Sequence, residues 1–409
     1  MDYGVEALKR HIAFFGAPFW GHVNPTLAVL ADLVSRGHRV TYVTTEEFSE
    51  AVTAAGVDVV RYESTWPAAR SAPSQVSADE MAGGPLKYLV ENVAATGAEP
   101  AFDGDVPDVV VYDTLMHFAA RALAHKWQRP AVQLIPLFAS NEHFSVAQQL
   151  ADEFPALDPQ HPALIEFGTK LAEFRASYGM GEASPADFFG TVEDLNLVFL
   201  TKEYQPAAET FDERYAFVGA GLADPRTRGA WTPPEGDAPV LLIALGTLFN
   251  ERPEFYRLCV EAFADQPWHV VLATGRHVDP SDLGPLPPNI EAHQHVPQLA
   301  VLEHAAAFVT HAGARSTMEA LHFGVPMVTV PQSVELEMAG RRTAELGLGV
   351  RIGRDEVTAE RLREAVLKVT QDAAIRRNVE EMRRATREAG GAGRAADEIE
   401  AYLRRALDA

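Results

Sequence analysis

The sequence predicts an α/β protein made of two doubly wound units, each a parallel sheet covered by helices. Three observations carry this prediction. Apolar runs of strand length alternate with helical patterns from residue 11 onward, the alternation restarts at Pro239, and the stretch 223–237 between them is rich in Pro, Gly and charge with no apolar period. Parallel neighbours need a crossover long enough to hold a helix, so this rhythm signals βαβ units.

In chain order, residues 11–16 read as strand and 25–36 as helix, 39–44 as strand and 46–55 as helix, and 108–112 as strand and 118–127 as helix, followed by an apolar run at 131–136. The apolar runs are nearly continuous, as expected of strands covered on both faces. Residues 141–194 form a longer helical, charge-mixed region suited to a lid or to the wall of an acceptor cleft, and a strand-like run follows at 195–200. The second half supplies strands at 240–245, 269–274, 307–310 and 327–330. Its tail, 358–407, reads as helical with a break at Gly390-Gly391-Ala392-Gly393. The expected organisation is a first unit at 1–221, a linker at 222–238 and a second unit at 239–409, whose last helix could pack back on the first unit.

The chain of 409 residues is too long for one ordinary core, and with 47% hydrophobic and 22% charged residues it has the composition of a globular protein. Lys and Arg total 35 against 57 Asp and Glu, a net charge of -22 that argues against nucleic acid or an anionic membrane surface as partner. A protein this acidic that binds a diphosphate must supply positive potential locally, through backbone N–H groups and helix ends. Cys259 is the single cysteine and allows no internal disulfide, so a cytoplasmic location is expected. No apolar stretch reaches membrane-spanning length, and no membrane insertion is expected.

The first strand runs into Gly16-Ala17-Pro18-Phe19-Trp20-Gly21-His22-Val23-Asn24-Pro25, a loop entering a helix. It has neither the GxGxxG of a dinucleotide site nor the Lys and Ser/Thr of a P-loop. It does place His22 near the carboxyl end of a strand, where open α/β sheets bind ligands. A lone histidine there is more often structural. Asp113, however, ends another strand of the same sheet, and a carboxylate that holds one imidazole nitrogen leaves the other free to accept a hydroxyl proton. His22 and Asp113 are therefore candidates for base and orienter, with a helix N-cap as the alternative role for Asp113.

In the second half, Phe308-Val309-Thr310-His311-Ala312-Gly313-Ala314-Arg315-Ser316-Thr317-Met318-Glu319 runs strand, small-residue turn, helix. Gly313 and Ala314 would let backbone approach a phosphate, with the N–H groups of the new helix pointing at it; the alternative is a plain turn capped by Ser316. Gly246-Thr247 ends another strand and could add a hydroxyl donor. Asp103-Gly104-Asp105 resembles a metal-binding carboxylate pair but lies in a Gly/Pro-rich loop of the first half, and no catalytic metal is expected. Phe19, Trp20, Trp66, Phe138 and Phe144 are candidates to line an apolar acceptor pocket, with core packing as the alternative for each.

Taken together, Gly21-His22-Val23-Asn24-Pro25, Val296-Pro297-Gln298-Leu299, the 311–319 segment, Gly324-Val325-Pro326 and Pro331-Gln332 resemble the GT-B glycosyltransferases of family 1, most closely the bacterial macrolide and flavonoid branch. The resemblance covers nearly the whole chain. It implies two Rossmann-like domains facing a cleft, acceptor on the first and nucleotide sugar on the second, with inversion, no metal and no other cofactor. It assigns His22 as base and Asp113 as its partner. It places Thr247, His311, Ser316 and Thr317 at the diphosphate, Glu319 at the ribose, and Val296 with Gln298 at the base. Three positions depart from relatives: Arg315 stands where Asn or Gly is frequent, His295 where an aromatic residue often stacks on the base, and Glu335-Leu336 where an acidic residue and Gln often contact the sugar. UDP-glucose is the default donor and a dTDP-sugar the variant, with a macrolide, polyketide or phenolic hydroxyl as acceptor. A sugar-nucleotide epimerase or hydrolase of the same fold, or a non-catalytic auxiliary protein, is the alternative.

Overall fold

The computed structural model describes residues 9–66, 77–153, 158–182, 192–222 and 229–407. Among these, the first half folds as a seven-stranded parallel sheet of β1 (His11–Phe15), β2 (Arg39–Thr44), β3 (Asp58–Arg61), β4 (Val109–Asp113), β5 (Ala131–Ile135), β6 (Asn196–Val198) and β7 (Tyr215–Phe217), in the order β3-β2-β1-β4-β5-β6-β7. Its helices are α1 (Trp20–Ser35), α2 (Glu46–Ala54), α3 (Ala78–Ala95), α4 (His117–Trp127), α5 (Val146–Asp152) and α6 (Pro162–Ser177).

The second half contributes a six-stranded parallel sheet of β8 (Val240–Ala244), β9 (His269–Ala273), β10 (Ile290–His293), β11 (Ala305–Thr310), β12 (Met327–Thr329) and β13 (Gly349–Arg351), ordered β10-β9-β8-β11-β12-β13. Here the helices are α7 (Pro253–Phe263), α8 (Gln298–Leu302), α9 (Ala314–Phe323), α10 (Val334–Glu345), α11 (Ala359–Gln371), α12 (Ala373–Glu388) and α13 (Gly391–Leu407).

Four strands lie outside the alternation read from the sequence, and all four are sheet edges: β3, β10 and β13 interrupt the apolar pattern with polar or charged residues, while β7 is apolar but only three residues long. An edge strand is covered on fewer sides, so its residues need not be continuously apolar; β3 is wholly half-buried or exposed, while β4 and β8 are buried at every residue. The start of the first helix also differs from the expectation. α1 begins at Trp20 rather than Pro25, which puts Gly21 and His22 inside its first turn and leaves Pro25 within the helix. The Pro25 N–H is missing and the chain around it stays helical, so proline marked the boundary wrongly here.

Among the described linker residues, 229–238 carry no helix or strand, and Trp231 is tied to the second half by its indole N–H donating to Glu291 at 3.0 Å; residues 223–228 lie outside the described ones. The two halves share apolar packing, with Ile135, Leu200 and Tyr204 of the first in one buried cluster with Ala312, Met318 and Ala339 of the second. The Tyr204 hydroxyl donates to the Ala339 carbonyl at 2.9 Å, and the Thr201 and Thr386 hydroxyls lie 2.9 Å apart. α13 crosses to α1, burying Ile399 and Leu403 with Leu30 and Leu33 and pairing Arg36 with Asp397 at 2.6 Å. No described helix is long and apolar enough to cross a membrane.

Candidate active site

Each sheet has one place where the strand order reverses direction, between β1 and β4 in the first and between β8 and β11 in the second. Connections leave such neighbours toward opposite faces and open a crevice at their carboxyl ends. His22 and Asp113 stand at the first of these points, Gly246 and His311 at the second.

The His22 ring lies in the first turn of α1, with its backbone N–H bonded to the Phe19 carbonyl at 2.9 Å. Asp113, at the end of β4, is buried; one carboxylate oxygen meets His22 Nδ1 at 2.8 Å and the other accepts the Leu115 N–H at 2.9 Å. The two roles open for Asp113 are thus both filled, one oxygen capping the short 3-10 turn that follows and one holding the imidazole. A carboxylate can only accept, so Nδ1 carries the proton and Nε2 is the basic nitrogen. Burial works against the imidazolium, but Asp113 and then Glu335 outweigh it and raise the His22 pKa above its ordinary value.

Glu335 belongs to the second half, in the first turn of α10, so its electrostatic reach to His22 brings the two halves together at one site. The Glu335 side chain is exposed, yet the protein near its carboxylate is enough for desolvation to raise its pKa against the opposing pull of His22. Leu336 beside it lines a narrow apolar pocket with Leu137, Phe138 and Val146 from the first half and Ala312 and Ala314 from the second.

The turn after β11 is built around the His311 ring. A Cβ placed on Gly246 or on Gly313 would come within 2.4 Å of His311 Nε2, so the imidazole is sandwiched between two bare backbones. Gly313 therefore makes room for His311, whereas the sequence suggested only that it would let backbone approach a phosphate. Burial pushes the His311 pKa down to about 4, so the ring is neutral at physiological pH. Ala312 has φ 66, and an L-residue in this left-handed region costs roughly 1–2 kcal/mol. The chain reverses there into α9, capped by Gly313; Ser316 is not the cap.

The first helical bond of α9 runs from Thr317 N–H to Gly313 at 2.9 Å, so the N–H groups of Ala314, Arg315 and Ser316 precede it and face outward with the positive end of the dipole. Thr317 is fully buried and its hydroxyl finds no partner among the described residues. Glu319 is buried as well, with one oxygen 2.8 Å from Arg315 and the other accepting Gln298 at 2.5 Å. Arg315 therefore neutralises a carboxylate along the helix instead of projecting alone, and Gln298 also reaches Ser316 at 3.2 Å. Val296 is in the core, which leaves its backbone to meet any ligand, whereas His295 and Thr247 are exposed.

Among the aromatic candidates, Phe19 and Trp66 stack at 5.0 Å beside His22, whose ring is 5.9 Å from Phe19. Trp20 points elsewhere, edge-on to Phe48 and bonded to Glu47. Phe144 meets Phe138 edge-on, and Phe138 stacks on the buried Tyr204. Tyr88 was not singled out by the sequence; it meets Trp66 edge-on, and desolvation by the protein around its hydroxyl, followed by Glu335 and Asp113, raises its pKa although part of the ring stays exposed. A single exposed Tyr on a helix gives no pattern that would have found it. Asp105 of the acidic pair is ion-paired with Arg39 far from this cleft.

Residues 260–392 match the family model of the erythromycin biosynthesis protein CIII-like C-terminal domain. The chain is 40% identical over 403 residues to an NDP-glycosyltransferase of Bacillus licheniformis, covering 96% of this chain and 98% of the relative. It is 37% identical to the oleandomycin glycosyltransferase of Streptomyces antibioticus, covering 97% and 92%. The crystal structure of the calicheamicin glycosyltransferase CalG4 superposes with a TM-score of 0.88 at 43% identity, covering 98% of this chain and 100% of that one.

Proposed function

The chain belongs to the GT-B glycosyltransferases that act on nucleotide sugars, together with NDP- and macrolide glycosyltransferases, and on that premise we propose that it transfers a hexose with inversion to a hydroxyl of a small hydrophobic acceptor, without a catalytic metal. One observation supports this: the His22–Asp113 pair stands at one switch point and the His311 turn with the α9 N-terminus at the other, and Glu335, which lines one pocket with Ala312 and Ala314, carries a charge that raises the His22 pKa. Residues 1–221 would hold the acceptor and 239–409 the donor, with 222–238 as linker.

In the proposed reaction His22 Nε2 takes the acceptor hydroxyl proton as that oxygen attacks the anomeric carbon from the face opposite the diphosphate. The bond from the anomeric carbon to the phosphate oxygen breaks, and the electron pair leaves with the nucleoside diphosphate. Charge gathering on the diphosphate meets the N–H groups of Ala314 to Ser316, and a neutral His311 can donate a hydrogen bond there. Glu319 would bind the ribose through lone pairs left over from Arg315 and Gln298, and the backbone at Val296 and the exposed His295 would face the base. Thr247 would add a hydroxyl near the phosphates. Glu335 would read one sugar hydroxyl, and Leu336 offers no hydrogen bond beside it.

UDP-glucose is the first donor to test, with dTDP-linked and deoxygenated sugars beside it because of Leu336. A matrix of UDP- and dTDP-sugars against pooled phenolic and macrolide acceptors, read by mass spectrometry, should give glycosides carrying the acceptor mass. Consumption of donor at the same rate without acceptor would instead identify a hydrolase or epimerase.

A pH profile tests the base. His22 must be neutral to accept a proton, and its pKa in the fold is raised above 6.5. Acceptor turnover should therefore fall as pH drops through a value above 6.5, with no second limb from His311, which is already neutral well below that. An acidic limb centred below 6 would contradict the proposed base.

A further inference from the structure

We propose that Glu91 is a positioning residue for the acceptor, fixing Trp66 in an aromatic wall beside His22. This inference rests on the acceptor site proposed above and deepens it. Glu91 lies on α3 and is fully buried. A carboxylate removed from water demands compensating donors, and those found here are neutral. The Tyr62 hydroxyl donates to one oxygen at 2.7 Å. The Thr65 N–H, the Thr65 hydroxyl and the Trp66 N–H converge on the other at 2.7, 2.8 and 3.2 Å. Every one of these donors lies on the segment leaving β3, so the carboxylate acts on the placement of a short piece of backbone.

That piece carries Trp66. Its ring stacks on Phe19 at 5.0 Å with 23° between planes and meets Tyr88 edge-on at 5.4 Å and 88°. Tyr88 is three residues before Glu91 on the same helix, so α3 sets both the backbone of Trp66 and the ring at its edge. Tyr88 is 41% exposed, which leaves the wall open on the cleft side. Such stacked and edge-on rings favour an acceptor with a flat apolar face, and their tilt relative to His22 decides where the attacking hydroxyl sits. Among the described residues, none of this network's hydrogen bonds or ring contacts reaches the second sheet or α9, so its effect should fall on the acceptor rather than on the nucleoside diphosphate.

The test uses the full-length enzyme with an acceptor that the wild type glycosylates. Glu91→Leu keeps the bulk and removes every acceptor atom; it should raise the acceptor KM about tenfold while the donor KM and the affinity for the nucleoside diphosphate stay unchanged. Glu91→Gln should recover most of this, since its carbonyl can face residues 65–66 and its amide can donate to the Tyr62 oxygen. Trp66→Leu should raise the acceptor KM similarly, and the double variant should be no worse than Trp66→Leu. If Glu91→Leu does not fold, Glu91→Asp, which withdraws the carboxylate by one methylene, reads the same displacement. A folded Glu91 variant with unmoved acceptor KM, equal losses for donor and acceptor, or effects that add to Trp66→Leu would each overturn the inference. A wild type that makes no glycoside at all would overturn the proposed function and this inference with it.

Discussion

His22→Ala should lower kcat by ~10²–10⁴-fold, the range expected when a positioned general base is removed, while calorimetric affinity for the nucleoside diphosphate stays unchanged. The asymmetry follows from the architecture. His22 is held by the first sheet, and the groups expected to bind the diphosphate belong to the second, so the substitution removes the base without disturbing the donor. Asp113→Asn provides a sharper form of the same test. The Leu115 N–H already claims one oxygen of Asp113 at 2.9 Å. An amide at this position would keep its carbonyl toward Leu115 and turn its NH₂ toward His22 Nδ1. That nitrogen would then have to accept, the proton would move to Nε2, and the atom meant to take the hydroxyl proton would already carry one. Loss of up to ~10⁴-fold is expected, as when the orienting carboxylate of a serine-protease triad becomes an amide. Turnover within tenfold of wild type in either variant would remove the pair from this role.

The parts of this site that were legible in the sequence are those encoded locally. Strand ends β1, β4, β8 and β11 are continuous apolar runs, and each is followed by the residue types that chemistry at a sheet rim requires, so His22, Asp113, Gly246 and His311 could be found. The edge strands could not, because partial coverage relaxes the composition of β3, β10 and β13 and because β7 is only three residues long. The start of α1 was obscured by Pro25, which reads as a first-turn proline but sits inside the helix. Pairings across long separations were also out of reach. Nothing in the spacing says that Glu335 senses His22 or that Glu91 gathers the donors of residues 62–66. The glycines illustrate the difference best: Gly246 and Gly313 were recognisable as small, but what fills the space beside them is the imidazole of His311, 65 and 2 residues away along the chain.

That last point leads to the second large effect. Gly246→Ala should destabilise the protein by ~2–4 kcal/mol, adding the cost of an L-side chain at positive φ to that of overpacking, and should weaken nucleoside-diphosphate binding. Gly246 has φ 74, and its Cβ would meet His311 Nε2 at 2.4 Å and Cε1 at 2.5 Å. Gly313→Ala separates the two causes. Its φ of -62 suits any residue, while the Cβ would again lie 2.4 Å from Nε2, so only the ring collision remains. The ring cannot step aside easily, because moving away from one glycine drives it toward the other. His311→Ala removes the obstacle. It should itself weaken donor binding, but Gly313→Ala introduced on top should then cost almost nothing in stability, whereas Gly246→Ala on the same background should retain its backbone component of roughly 1–2 kcal/mol. Chemical denaturation of the single and double variants reads these differences directly. Independent, additive losses for Gly313→Ala and His311→Ala would mean that the imidazole does not occupy the gap between the two turns, and the donor side of the cleft would have to be rebuilt around another group.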